Sequence, residues 1–259
     1  MKIVWLSGGA AVMAGVLSWW YVMDIRQAVN WPDSLAPVLN NKADKMEVAE
    51  IVVPREEPVS VPVQEEITEG GSGANPVLLK ALAEQEFNGN NFKVGQVLAD
   101  NEAYTRYYIT YQSGDLTISG IMNVPKGEGP FPLLLLNHGH IDTSVYTNGR
   151  GLKREQDYLA RQGYVVIHSD YRGHAESDDD PNTDKNLRLG YAEDVINAIL
   201  AVRAANLSYV DVERVGMLGH SMGGGVAWRI AVTQPDLVDA YVQFAPVSAD
   251  ERDNFKKWT

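Results

Sequence analysis

Apolar and polar positions divide the chain into three regimes. From Ile3 to Met23 no residue is charged, and about 20 apolar residues is the length that crosses a bilayer as a helix. Residues 25–75 lose that character. Pro54, Pro58 and Pro62, the acidic pairs Glu56-Glu57 and Glu65-Glu66, and Gly70-Gly71-Ser72-Gly73 predict a solvated tether, because proline and like charge both oppose a packed element. From residue 76 to residue 259 apolar positions switch repeatedly between the periods of strand and helix.

The elements follow from that switching. Two β-prone runs, Thr105 to Tyr111 and Leu116 to Val124, are joined through Ser113-Gly114-Asp115 as a hairpin. Phe131 to Leu136 is a third strand, and Leu152 to Arg161 a helix closed by Gly163. Tyr164-Val165-Val166-Ile167 reads as a buried strand, and Tyr191, Val195, Ala198, Ile199 and Val202 lie at helical spacing. Val212 to Leu218 is the fifth strand in this count, Ser221 to Thr233 a helix ended by Pro235, and Leu237 to Phe244 the last strand. Strand alternating with helix predicts an α/β fold, in which a mainly parallel, doubly wound sheet begins with an antiparallel hairpin.

The flanks of the first run give it a direction. Lys2 and the amino terminus precede it and Asp24 follows, so positive charge on the cytoplasmic side places everything after Met23 outside. Trp19, Trp20 and Tyr21 would then sit at the far interface. The same bulky residues leave no small-x-small cleavage site, which favours a single-pass anchor over residues 1–24, with membrane contact through residues 3–23, against a cleaved signal and a secreted protein.

Composition narrows the chemistry. A net charge of -12 over 259 residues, with no Lys/Arg cluster to reverse it locally, repels phosphate backbones and excludes nucleic acid as a natural partner. With no cysteine the chain has no disulfide, no thiolate nucleophile and no thiolate-bound zinc. Glu176, Asp178, Asp179, Asp180 and Asp184 form an acidic cluster, but their spacing is not that of a calcium loop. It is read as a solvated loop, with no metal and no cofactor expected.

Gly219-His220-Ser221-Met222-Gly223 fits a G-x-S-x-G turn between strand and helix. There Ser221 is forced out above the sheet and the two glycines relieve the crowding. The Met222 backbone N–H, at a helix N-terminus, points at charge developing on a bound carbonyl oxygen. A second donor belongs to the loop after the third strand, Asn137-His138-Gly139-His140, and the His140 N–H is nominated. The side chains of His138 and His140 are expected to hydrogen-bond loop backbone, and His220 to point away from Ser221.

With these residues in view, the stretch from about Leu116 to Trp258 resembles the N-terminal two-thirds of an α/β-hydrolase catalytic domain, most of all that of the prolyl oligopeptidase family and its esterase relatives. The likeness rests on Asn137-His138-Gly139-His140, on Ser169-Asp170-Tyr171-Arg172-Gly173-His174-Ala175-Glu176-Ser177 and on Gly219-His220-Ser221-Met222-Gly223-Gly224. It implies a serine hydrolase acting on a small-molecule ester or a peptide through a Ser221 acyl-enzyme. It also implies that Asp170 and Arg172 form a structural ion pair bracing the floor of the site.

One part of the pattern is missing. In this fold an Asp or Glu and then a His follow the serine along the chain, yet His138, His140, His168, His174 and His220 all precede Ser221. Asp250 and Asp253 are the acids nearest the expected position. The expectation is therefore a hydrolase fold incomplete at its C-terminus, nearly inert by itself, with β-pairing or aggregation along the exposed edge of the last strand. The alternative is a membrane-tethered pseudoenzyme or binding module that keeps the turn as structure. A dehalogenase-like chemistry is weaker, since it needs an aspartate where Ser221 stands. Oligomeric state is not legible.

Overall fold

The computed structural model describes residues 2–6, 79–184, 186, 188–248 and 254. Its strands are β1 (Lys2–Leu6), β2 (Asn90–Asp100), β3 (Tyr104–Ser113), β4 (Leu116–Pro125), β5 (Phe131–Asn137), β6 (Val165–Ser169), β7 (Val210–His220) and β8 (Ala240–Phe244). The helices are α1 (Leu79–Glu84), α2 (Lys153–Arg161), α3 (Gly190–Ala205) and α4 (Met222–Thr233).

All strands join one sheet in the order β1-β8-β7-β5-β6-β4-β3-β2. From β1 to β6 neighbours run parallel, while β4 is antiparallel to β6 and β3 is antiparallel to both β4 and β2. The hairpin turns at Gly114, whose φ of 59° favours glycine.

The central strands are buried along their whole length, as parallel strands covered on both faces must be. Their side chains alternate between two cores. Leu133, Leu135, Val165 and Ile167 pack with α3 and α4 on one face, while Leu134, Leu136 and Val166 pack with Leu159 and Ala160 of α2 on the other. That alternation makes the sheet doubly wound and fixes its register, because a one-residue slip would exchange the two faces.

Two differences from the sequence reading stand out. Strand β2 precedes the hairpin, so β7 is the sixth strand after residue 79 and not the fifth. It escaped the periodicity because it is an edge strand, exposed over most of its length and interrupted by bulges. Second, Ile3 to Leu6, the start of the apolar run, lies extended against β8, with Lys2 beside Ala240 and Leu6 beside Phe244. The edge of β8, expected to be open, is thus paired. No helix among the described residues is long and apolar enough to cross a membrane. Residues 7–23 of the anchor and the 25–75 tether lie outside the described residues.

Candidate active site

Ser221 occupies the turn between β7 and α4 with φ 52° and ψ -119°. A non-glycine residue there costs about 1–3 kcal/mol and persists only where its surroundings enforce it. Three backbone contacts do so. The Ser221 N–H donates to the Phe244 carbonyl at 3.1 Å, and the Ser221 carbonyl accepts from the N–H groups of Gly224 at 2.9 Å and Val247 at 3.1 Å. The segment after β8 therefore clamps the turn.

The flanking glycines are sterically required. A Cβ on Gly219 would lie 2.4 Å from the Gly223 carbonyl oxygen, and one on Gly223 would lie 2.0 Å from the Asn137 oxygen and 2.6 Å from that of His138. These close approaches press the loop after β5 against the helix start. Gly139 sits there too, its missing Cβ only 3.1 Å from Ser221 Cβ. The Gly139-His140 peptide and the Met222 N–H thus flank the same serine, and Met222, first in α4, has no intrahelical acceptor for its N–H. These are the two backbone N–H groups that the sequence nominates as donors, and both lie on segments in contact with the Ser221 turn.

The histidines divide sharply. His140 is exposed and His220 half-buried, with the His220 ring stacked on Phe244 at 5.2 Å and its pKa lowered by burial. His138, His168 and His174 are buried. Burial pushes His138 down to about 4, His168 well below its ordinary value and His174 in the same direction, so all three are neutral at pH 7. The His138 Nδ1 bonds the Gly139 carbonyl at 2.7 Å and the His174 Nδ1 bonds that of Arg172 at 3.1 Å. Among the described residues no histidine hydrogen-bonds Ser221 Oγ.

Asp170 and Arg172 do not pair. Tyr171 between them has φ 64°, which turns their side chains to different partners. Asp170 accepts from Ser119 Oγ at 2.6 Å, Tyr146 Oη at 2.8 Å, Asn148 Nδ2 at 2.7 Å and the Gly149 N–H at 2.7 Å. Burial raises its pKa against the pull of those four donors. Arg172 instead reaches α3, meeting Asp194 at 2.8 Å and Glu193 at 2.9 Å, and also Asp180 at 3.0 Å. Asp194, fully buried, was missed by the sequence reading. Its signal was an acid one residue before Val195 on the apolar stripe of α3.

Other candidates resolve into structural roles. Asp178 accepts the Thr117 N–H at 2.7 Å, Asp184 pairs with Arg188 at 3.0 Å, and no group of three or more His, Asp or Glu among the described residues is arranged to hold a metal. A cavity of about 410 Å³ lies by the β3–β4 turn, lined by Asp115, Arg172, Asp179 and Glu193 among others, none from the turn at Ser221. Asp250 and Asp253 lie outside the described residues.

Comparison with known proteins agrees with this architecture. Residues 132–259 match the family model described as alpha/beta hydrolase fold. An uncharacterized protein of Mycobacterium tuberculosis is 36% identical over 126 residues, 49% of this chain and 32% of that protein. Esterase EstD of Thermotoga maritima is 29% identical over 144 residues, 53% of this chain and 33% of the esterase. The match thus spans about a third of the length of these curated relatives. Acetyl xylan esterase 1 from Thermoanaerobacterium sp. JW/SL YS485 superposes with a TM-score of 0.52 at 22% identity, covering 64% of this chain and 56% of the esterase. The fold is an α/β-hydrolase fold with a mostly parallel sheet.

Proposed function

We propose that this chain carries the nucleophile-bearing part of a serine hydrolase that cleaves a small-molecule ester through a Ser221 acyl-enzyme. The observation that carries the reading is the strained Ser221 turn with the Gly139-His140 peptide packed against it. The likeness to an esterase of Thermotoga maritima favours an ester over a peptide bond.

In that reading Ser221 Oγ bonds to the substrate carbonyl carbon as its proton passes to a base, and the carbonyl oxygen becomes an oxyanion held by the Met222 and His140 N–H groups. Collapse expels the alcohol, which takes up the proton, and leaves the acyl group on Ser221. Water then releases the acid by the same steps. The base is required but is none of the five histidines as placed, and the acid partner is likewise unassigned. These 259 residues alone are accordingly expected to be slower by several orders of magnitude than a chain that supplies the base, because such groups act as a unit.

The test is p-nitrophenyl acetate hydrolysis by protein expressed from its complete gene, with and without Ser221→Ala. Turnover lost in the variant supports the assignment; turnover retained refutes it. Robust Ser221-dependent turnover by residues 1–259 alone would defeat the expectation of inertness.

We also infer a membrane anchor in residues 3–23, with the hydrolase domain on the extracytoplasmic side, a state in which Ile3–Leu6 leave the edge of β8. The uncharged run and its flanks support this. Retention in membranes after alkaline carbonate washing is expected, and release of the intact chain would contradict it.

A further inference from the structure

The loop that leaves the carboxyl end of β6 reaches α3 through Arg188 and Leu189. Arg188 has φ 57°, a left-handed conformation that non-glycine residues rarely adopt and that clusters at ligand sites. Hydrogen bonds on both sides fix it there. The Arg188 N–H donates to the Thr183 carbonyl at 2.9 Å, and the Arg188 carbonyl accepts from the Tyr191 N–H at 3.2 Å. From that backbone the side chain reaches α4, where Nη1 stands 3.9 Å from Met222 Sδ.

Met222 is bonded to Ser221 and begins α4 at the carboxyl end of β7. Both partners in the contact therefore lie beyond the carboxyl ends of the parallel strands, where open α/β sheets bind their ligands. The Met222 side chain is partly buried against the larger core. The guanidinium is thus one methionine side chain away from the Ser221 turn.

This guanidinium is short of acceptors. Of its five N–H donors, the one on Nε goes to Asp184 Oδ1 at 3.0 Å. Nη1 meets only a thioether, a weak acceptor. Nη2 has no hydrogen-bond partner among the described residues. Nor does Asp184 neutralise the charge firmly, since its side chain is 84% exposed against 31% for that of Arg188, and a pair so open to water is weak. The chain carries a net charge of -12, a background that repels anions. A partly buried cation beside Ser221 reverses that background locally, and the fork of Nη1 and Nη2 fits the two oxygens of a carboxylate.

We propose that Arg188 binds a carboxylate on the substrate, so that the site takes esters carrying that group in preference to neutral esters of the same size. This rests on the reading of Ser221 as the nucleophile. Arg188 takes no part in making or breaking the ester bond; its charge selects which ester is held over Ser221.

The experiment uses protein expressed from its complete gene and two matched pairs of esters, one for each side of the ester bond. Mono-p-nitrophenyl glutarate against p-nitrophenyl pentanoate places the carboxylate on the acyl side, and 4-acetoxybenzoate against 4-acetoxybenzamide places it on the alcohol side. In at least one pair kcat/KM is expected to favour the anion by about tenfold or more. Arg188→Gln is expected to bring that ratio to within about twofold of unity. A parent with no preference in either pair, or a preference undiminished in Arg188→Gln, overturns the proposal. Should the variant not fold, salt decides the matter in the parent: the preference is expected to shrink as sodium chloride is added, and a preference indifferent to salt overturns it. Ser221→Ala with the same esters separates the two claims. Turnover surviving that change defeats the serine-hydrolase reading, whereas Ser221-dependent turnover without anion preference defeats only the role of Arg188.

Discussion

At the residue scale the buried histidines set the response to acid. His138 is held near 4 in the folded state by burial, against about 6.5 for an unfolded histidine. A folded value below the unfolded one means that protonation favours unfolding. Stability is fully present above pH 6.5 and is lost as the pH falls toward 4, by about 3 kcal/mol for His138 alone. His168 and His174 shift in the same direction and add to it. Urea denaturation at pH 7 and pH 4.5 checks this, and an unchanged midpoint would contradict it. Asp194 makes a second case. It is fully buried and pairs with Arg172, which is itself 8% exposed at its side chain, so Asp194→Ala leaves a guanidinium with its best partner gone. The expected cost is about 3–5 kcal/mol, read as a lowered denaturation midpoint. A loss below about 1 kcal/mol would show that Glu193 and Asp180 suffice.

At the scale of elements the β7–α4 turn depends on backbone touching backbone. Gly223→Ala drives a methyl group to 2.0 Å from the Asn137 oxygen, so the loop after β5 or the start of α4 must move. About 2–3 kcal/mol of destabilisation is expected, together with loss of turnover, since the two donors proposed for the oxyanion are on the elements forced apart. A variant as stable and active as the parent would contradict the close approach. This turn was legible in the sequence because glycine spacing is a local signal, and so was the hairpin at Gly114. The alternating β5 and β6 were legible as buried apolar runs. The partners of Arg172 were not. Nothing in Asp170-Tyr171-Arg172 announces that Tyr171 adopts a positive φ, and it is that reversal which sends Asp170 to β4 and the 146–149 loop and sends Arg172 to α3.

At the scale of the whole molecule, sequence periodicity found the sheet's interior and missed its borders. Strand β2 lies at one edge, where exposure erases the apolar alternation that marks a strand. At the other edge, Lys2–Leu6 is rich in β-branched and aromatic residues that suit a strand as well as a membrane helix. Ile3–Leu6 cannot lie in a bilayer and beside β8 at the same time, so pairing and anchoring are exclusive for those residues. The triad is the other gap. The strained turn at Ser221 was legible from one pentapeptide in its strand-turn-helix setting, but a catalytic base is recognised by geometry, and no described histidine reaches Ser221 Oγ.

The central claim is that Ser221 is an activated nucleophile, and covalent trapping tests it most directly. Protein expressed from its complete gene, treated with diisopropyl fluorophosphate and digested, is expected to carry one phosphoryl adduct, on the peptide containing Gly219-His220-Ser221-Met222-Gly223, and none after Ser221→Ala. An adduct mapped to another residue, or an unmodified Ser221 in protein that still hydrolyses p-nitrophenyl acetate, would contradict the account.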